Sequence, residues 1–176
     1  MSLDAPVDSR PLLLVAADLM SASLHVARRT LPTRPTPCSE WQLGQLVHHV
    51  ADSASTLTEV ITGAAPIPTT TTGCIRAELS LNELRQAVSD APANAPAVDL
   101  TSLTGAFELT VHAWDIDTAV GATPRLPADH VRALVRLAPI VLSEIDRGGL
   151  FGARLASPSG ASDTQRLLAL FGRRAG

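Results

Sequence analysis

Residues 108–121 read ELTVHAWDIDTAVG, and the fold turns on how this stretch is read. Leu109, Ala113, Ile116 and Val120 recur at the three- and four-residue intervals of a helix, and Gly121 supplies a stop. The helix so predicted runs from about Leu100 to Val120. Within it Glu108 and His112 stand four positions apart, so their Cβ atoms lie roughly 5–6 Å apart on one face. Such a pair is either an ordinary exposed helix contact or two thirds of a metal site.

Outward from this segment the other periodic stretches also run at helical spacing, and no Asn-Gly or Asp-Gly turn joins alternating hydrophobics. Helix one is expected from near Ser9, with Pro11 in its first turn and Leu13, Leu14, Ala17, Leu24 and Val26 on its apolar side, until Pro32 ends it. Helix two opens on SEWQ, where Ser39 can cap and Gln42 can reach back, and ends near Gly63. A loop, AAPIPTTTTG (64–73), separates it from a shorter helix that starts on SLNE with Ser80 and Glu83 in capping-box spacing. A linker at 91–97 leads to the helix of the opening stretch. A fifth helix spans about Ala128 to Asp146, with Pro127 near its start. From Gly148 the texture is loop-like, with one or two short extended pieces, before a last short helix capped by Ser162 or Asp163.

The expected class is therefore all-α: an antiparallel four-helix bundle with a short C-terminal extension, about 148–176, packed on its outside. A chain of 176 residues can bury a real core as one domain, so residues 1–176 are expected to form a single unit. Cys38 and Cys74 form no CxxC or disulfide pattern and are read as reduced thiols. Cys38 lies ahead of helix two, whose dipole can lower a thiol pKa, but no base is placed beside it and a structural role is expected. The longest apolar run, Leu12–Ala17, is too short to span a bilayer, and no leader pattern is present, so a soluble cytoplasmic protein without a membrane partner is expected. Met1, Ser2 and Leu3 are read as an added start and not as part of the fold. All 14 basic residues are arginine, yet they form no block, the net charge is −3 and aromatics are few. Those features exclude the electrostatic footprint of a nucleic-acid binder.

A third ligand for Glu108 and His112 must come from another helix, and LVHHVADS in helix two offers His48 and His49. Projection at about 100° per residue puts His49 marginally nearer the apolar stripe, which does not separate the two. His25 has no neighbouring partner in sequence, and His130 falls in the first turn of helix five. Asp115, three residues after His112, can accept a ring N–H and orient the imidazole, or pair with an arginine. Trp41 and Trp114 project away from the ligand face and are read as core.

Three segments taken together, TPCSEWQLGQLVHHVA, ELTVHAWDIDTAVG and the closing RLLALFGRR, resemble the DinB-like metal-binding family that includes the N-terminal domain of mycothiol-dependent maleylpyruvate isomerase. The resemblance implies a four-helix bundle holding a divalent metal, generally zinc, through His49, Glu108 and His112, with His48 in a non-ligand position. It further implies a metal that activates the thiol of a small cofactor such as mycothiol against an electrophilic substrate, in a transferase or isomerase. The isomerase has a further C-terminal domain contributing to its active site, whereas only a short tail follows the bundle here, so maleylpyruvate isomerisation itself is not expected. The alternative is a non-catalytic metal-binding or stress-associated bundle, monomeric or homodimeric.

Overall fold

The computed structural model describes residues 8–39, 41–66, 68–93, 95–144 and 153–174. Among them all regular structure is helical: α1 (Arg10–Ala27), α2 (Leu43–Thr62), α3 (Gly73–Asp90), α4 (Pro96–Val120), α5 (Ala128–Glu144) and α6 (Asp163–Leu170). The helices α1 to α4 form the bundle, with α1 laid along α4 and α2 along α3, while α5 and α6 pair with each other and α5 touches α4. The helix expected to be short and to start on SLNE is α3, a full-length member of the bundle.

The reason lies at Ser80. Its hydroxyl reads as an N-cap in sequence, yet it sits buried in the middle of α3 and hydrogen-bonds the Ser55 hydroxyl of α2 at 3.0 Å. With that polar group satisfied across the interface, the helix extends back to Gly73 and buries Ala77, Leu81, Leu84 and Val88. Similarly, α4 begins at Pro96 rather than Leu100. Proline has no N–H to lose in a first turn, and the N–H groups of Val98 and Asp99 find the Ala95 carbonyl.

The core joins Leu13, Met20 and Leu24 of α1 to Leu46 and Val50 of α2, Leu81 and Leu84 of α3, and Phe107 and Ile116 of α4. Each such side chain contributes about 1.5–3 kcal/mol on removal from water. Val26, expected on the apolar side of α1, is exposed. By length and mean hydropathy, 1.2, α1 could cross a membrane, and a core helix passes the same test. Here its Leu13, Met20 and Leu24 are inside the bundle.

Buried nearly all round, α4 is the central helix. Its polar residues are consequently planted in the interior wall. Gly121 ends it with φ 77°, a left-handed turn that an L side chain resists.

The tail departs from a mere external layer. Ser162, not Asp163, caps α6: its hydroxyl accepts from Gln165 N at 3.2 Å, and Gln165 Oε1 accepts from Ser162 N at 2.9 Å. Beyond the helix, Phe171 is fully buried with its ring 5.5 Å from that of Phe107. The turn closed by Arg173 N on Leu168 O, 2.9 Å, then aims Arg173 into the bundle. Residues 153–160 contain no strand, in contrast to the short extended pieces expected there; residues 145–152, which include the expected end of helix five at Asp146, lie outside the described residues, as do Met1, Ser2 and Leu3.

Candidate metal centre

Helix two starts three residues later than its capping motif implies. The N–H groups of Leu43 and Gly44 donate to the carbonyls of Arg34 and Pro32 at 2.8 and 2.7 Å, so the preceding loop itself satisfies the helix end. Gln42 becomes the N-cap, its N–H bound by Gln45 Oε1 at 2.9 Å. At Gly44 any Cβ would fall 2.9 Å from Pro32 Cβ, so only glycine permits this approach. Thr36 Oγ1 donates to the carbonyls of Trp41 and Cys38 at 2.7 and 2.9 Å and holds the returning strand of the loop.

That loop sets Trp41 against the ligand face, contrary to the projection that pointed it away. The projection failed because Trp41 precedes the helix, where 3.6-residue periodicity has no meaning. Its ring centroid lies 4.1 Å from that of His49 and 5.7 Å from that of His112. Trp114, by contrast, is core.

His49 of α2 and the α4 pair Glu108 and His112 come together, their donor atoms all within 4.8 Å of one another. Among the described residues no other group of His, Cys, Asp and Glu converges in this way. Glu108 Oε1 stands between the imidazoles, 2.5 Å from His49 Nε2 and 3.4 Å from His112 Nε2. The two rings meet edge to face at 84°. Ser53, one turn beyond His49, donates to Glu108 Oε1 at 3.1 Å. Its i,i+4 spacing from His49 made it legible in sequence, though it was not singled out.

His48 is elsewhere. It is exposed, 3.5 Å from Asp52 Oδ2 and 3.3 Å from Arg76 Nη1, and belongs to a surface charge cluster. His25 is exposed on α1, and His130 is buried on α5 with Thr110. Cys38 is buried beside Arg173, and Cys74 is half-buried in the first turn of α3, where burial raises its thiol pKa despite Arg28 nearby.

Asp115 performs both tasks that its position allowed. Oδ2 lies 3.0 Å from His112 Nδ1, and the same carboxylate takes a forked pair of bonds from Arg173, Nε to Oδ1 at 3.2 Å and Nη2 to Oδ2 at 2.9 Å. With Nδ1–H committed to Asp115, the Nε2 atom of His112 is the one turned toward Glu108. Arg173 itself was invisible to local pattern, since 58 residues separate it from Asp115.

The electrostatics favour a cation at this point. Burial works against the Glu108 carboxylate, but His112 and His49 outweigh it and hold the group ionised far below the usual range. Burial also works against a charged His112, but Glu108 and then Asp115 outweigh it and push its pKa up to about 9. In the chain alone a proton on His112 supplies the positive charge. Two imidazole nitrogens and a carboxylate oxygen match the donor preferences of a borderline divalent ion such as Zn2+, while Ca2+ and Mg2+ prefer oxygen alone. Exposure falls from 31% at the His49 side chain to 15% at Glu108 and 7% at His112, so the cluster opens on one flank only. A shallow depression of about 460 Å3, lined by Trp41, Gly44, Gln45, His48, His49 and Asp52, lies on that flank.

Comparison with known families finds a match over residues 15–106 to the mycothiol maleylpyruvate isomerase N-terminal domain. The matched span takes in most of α1, all of α2 and α3, and the first part of α4, including His49. No curated protein and no solved structure matches the chain.

Proposed function

The chain belongs to the mycothiol maleylpyruvate isomerase N-terminal domain family, and from that premise we propose that it is a cytoplasmic, zinc-binding, thiol-dependent transferase or isomerase. His49, Glu108 and His112 hold the ion, and a small-molecule thiol of the mycothiol type approaches it from the open flank. The observation that carries this reading is the convergence of three donors from two helices, with the His112 Nδ1 already occupied by Asp115. A bound divalent cation supplies the charge that deprotonates a thiol near neutral pH and makes it the nucleophile.

The chain's own residues shape the rest. Trp41 packs against the His49 ring at a tilt of 36°, while Ser53 restrains the Glu108 carboxylate. Among the described residues three protein donors converge, the number that a catalytic zinc ion would take from the protein. The depression beside His49 offers the thiol access.

Calorimetric titration of mycothiol into the zinc-loaded and zinc-free chain tests the function. Saturable heat is expected only with zinc, followed by turnover with some member of a panel of small electrophiles. A zinc-loaded chain that gives no heat with mycothiol would favour the alternative, a metal-binding bundle without catalysis.

A further inference from the structure

We propose that Arg173 is a positioning residue of the metal centre, so that the C-terminal tail is a working part of the site. This rests on the metal reading of His49, Glu108 and His112. The guanidinium fork fixes both oxygens of Asp115, through Nε at 3.2 Å and Nη2 at 2.9 Å, and its Nη1 donates to the Phe171 carbonyl at 2.6 Å. A planar group held at three points cannot swing, and neither can the carboxylate it grips. Asp115 Oδ2 is shared between Arg173 Nη2 and His112 Nδ1, so the orientation of the tail residue is passed to the imidazole within two contacts. His112 Nε2 is thereby set 3.4 Å from Glu108 Oε1, facing the point where the three donors meet.

Burial makes this arrangement more than a surface ion pair. The Asp115 side chain is 0% exposed and that of Arg173 is 6% exposed, so no water replaces either partner. Lysine in place of arginine keeps the charge but reaches one oxygen as a point donor, and it leaves the carboxylate free to rotate. The arrangement also explains the anchoring of the tail. Phe171 in the core and the turn at Leu168 both serve to bring residue 173 to this location.

The experiment compares the wild type with Arg173→Lys and Arg173→Met. Zinc affinity is read by competition with a chromophoric chelator, and the His112 Nδ1–H hydrogen bond to Asp115 by the 1H and 15N shifts of that N–H group in the metal-free chain. Circular dichroism monitors folding. Arg173→Met is expected to weaken zinc binding roughly 10–100-fold, the range for loss of an outer partner of a ligand histidine. The His112 Nδ1 proton should lose its downfield shift. Arg173→Lys is expected to fall between the two. If Arg173→Met does not fold, Arg173→Lys decides alone: affinity and Nδ1–H shift both unchanged would overturn the proposal, as would a folded Arg173→Met that binds zinc like the wild type. A wild type without measurable zinc affinity would instead defeat the metal reading on which the proposal stands.

Discussion

His49→Ala and His112→Ala are each expected to lower zinc affinity at least about a hundredfold, while His48→Ala leaves it within about threefold of wild type. Structural zinc sites with four ligands bind with about 10–16 kcal/mol, or roughly 3 kcal/mol for each donor, and a hundredfold corresponds to somewhat less than that. The adjacent histidines make the comparison internal. His49 Nε2 is 2.5 Å from the Glu108 carboxylate, whereas the His48 ring lies with Asp52 and Arg76 on the exposed surface. Neither ligand variant strands a buried charge. In His49→Ala, Glu108 retains His112 and Ser53; in His112→Ala, Asp115 retains Arg173. Both variants should therefore fold, and chelator competition measures the affinity directly. Equal affinity in His48→Ala and His49→Ala would place the ion elsewhere.

The second large effect is one of stability, at His130. Its imidazole is buried on α5, with Nε2 2.9 Å from Thr110 Oγ1 and Nδ1 without a hydrogen-bond partner among the described residues. Burial lowers its pKa from the ordinary 6.5 to about 4. The unfolded chain binds this proton more readily than the folded one, so the neutral residue's contribution is fully present above about pH 6.5. It is lost as the pH falls through that value toward 4. The loss reaches at most about 3 kcal/mol, or roughly 6–12 °C in midpoint for a chain of this size. His130→Gln carries no titrating group and can still bond Thr110. Its urea midpoint should fall less steeply than the wild-type midpoint between pH 7 and 4.5. Identical slopes would mean that His130 titrates normally in the fold.

The fold and the candidate site were legible in sequence to different depths, for physical reasons. Glu108 and His112 were readable as a pair because helical spacing alone makes neighbours of residues four apart. Spacing did not choose between His48 and His49; the family resemblance named His49. Both flank the apolar stripe of α2, and only the rotation of that helix against α4 separates them. Capping signals misled twice for one cause: hydroxyls of Ser39 and Ser80 advertise helix starts, but carbonyls of Pro32 and Arg34 satisfy the first of those ends, and Ser55 engages the second hydroxyl. Trp41 was misplaced as a direct result of the first error. Arg173 and Phe171 depend on how a tail returns across the molecule to Asp115 and Phe107, contacts that no local window contains.

X-ray absorption at the zinc edge of the loaded chain reads the donor atoms themselves. A site of His49, Glu108 and His112 is expected to give nitrogen and oxygen scatterers at roughly 2.0–2.2 Å, with the outer-shell pattern of two imidazoles and no sulfur from the chain. A sulfur scatterer at about 2.3 Å in the absence of added thiol, or a single imidazole, would contradict it.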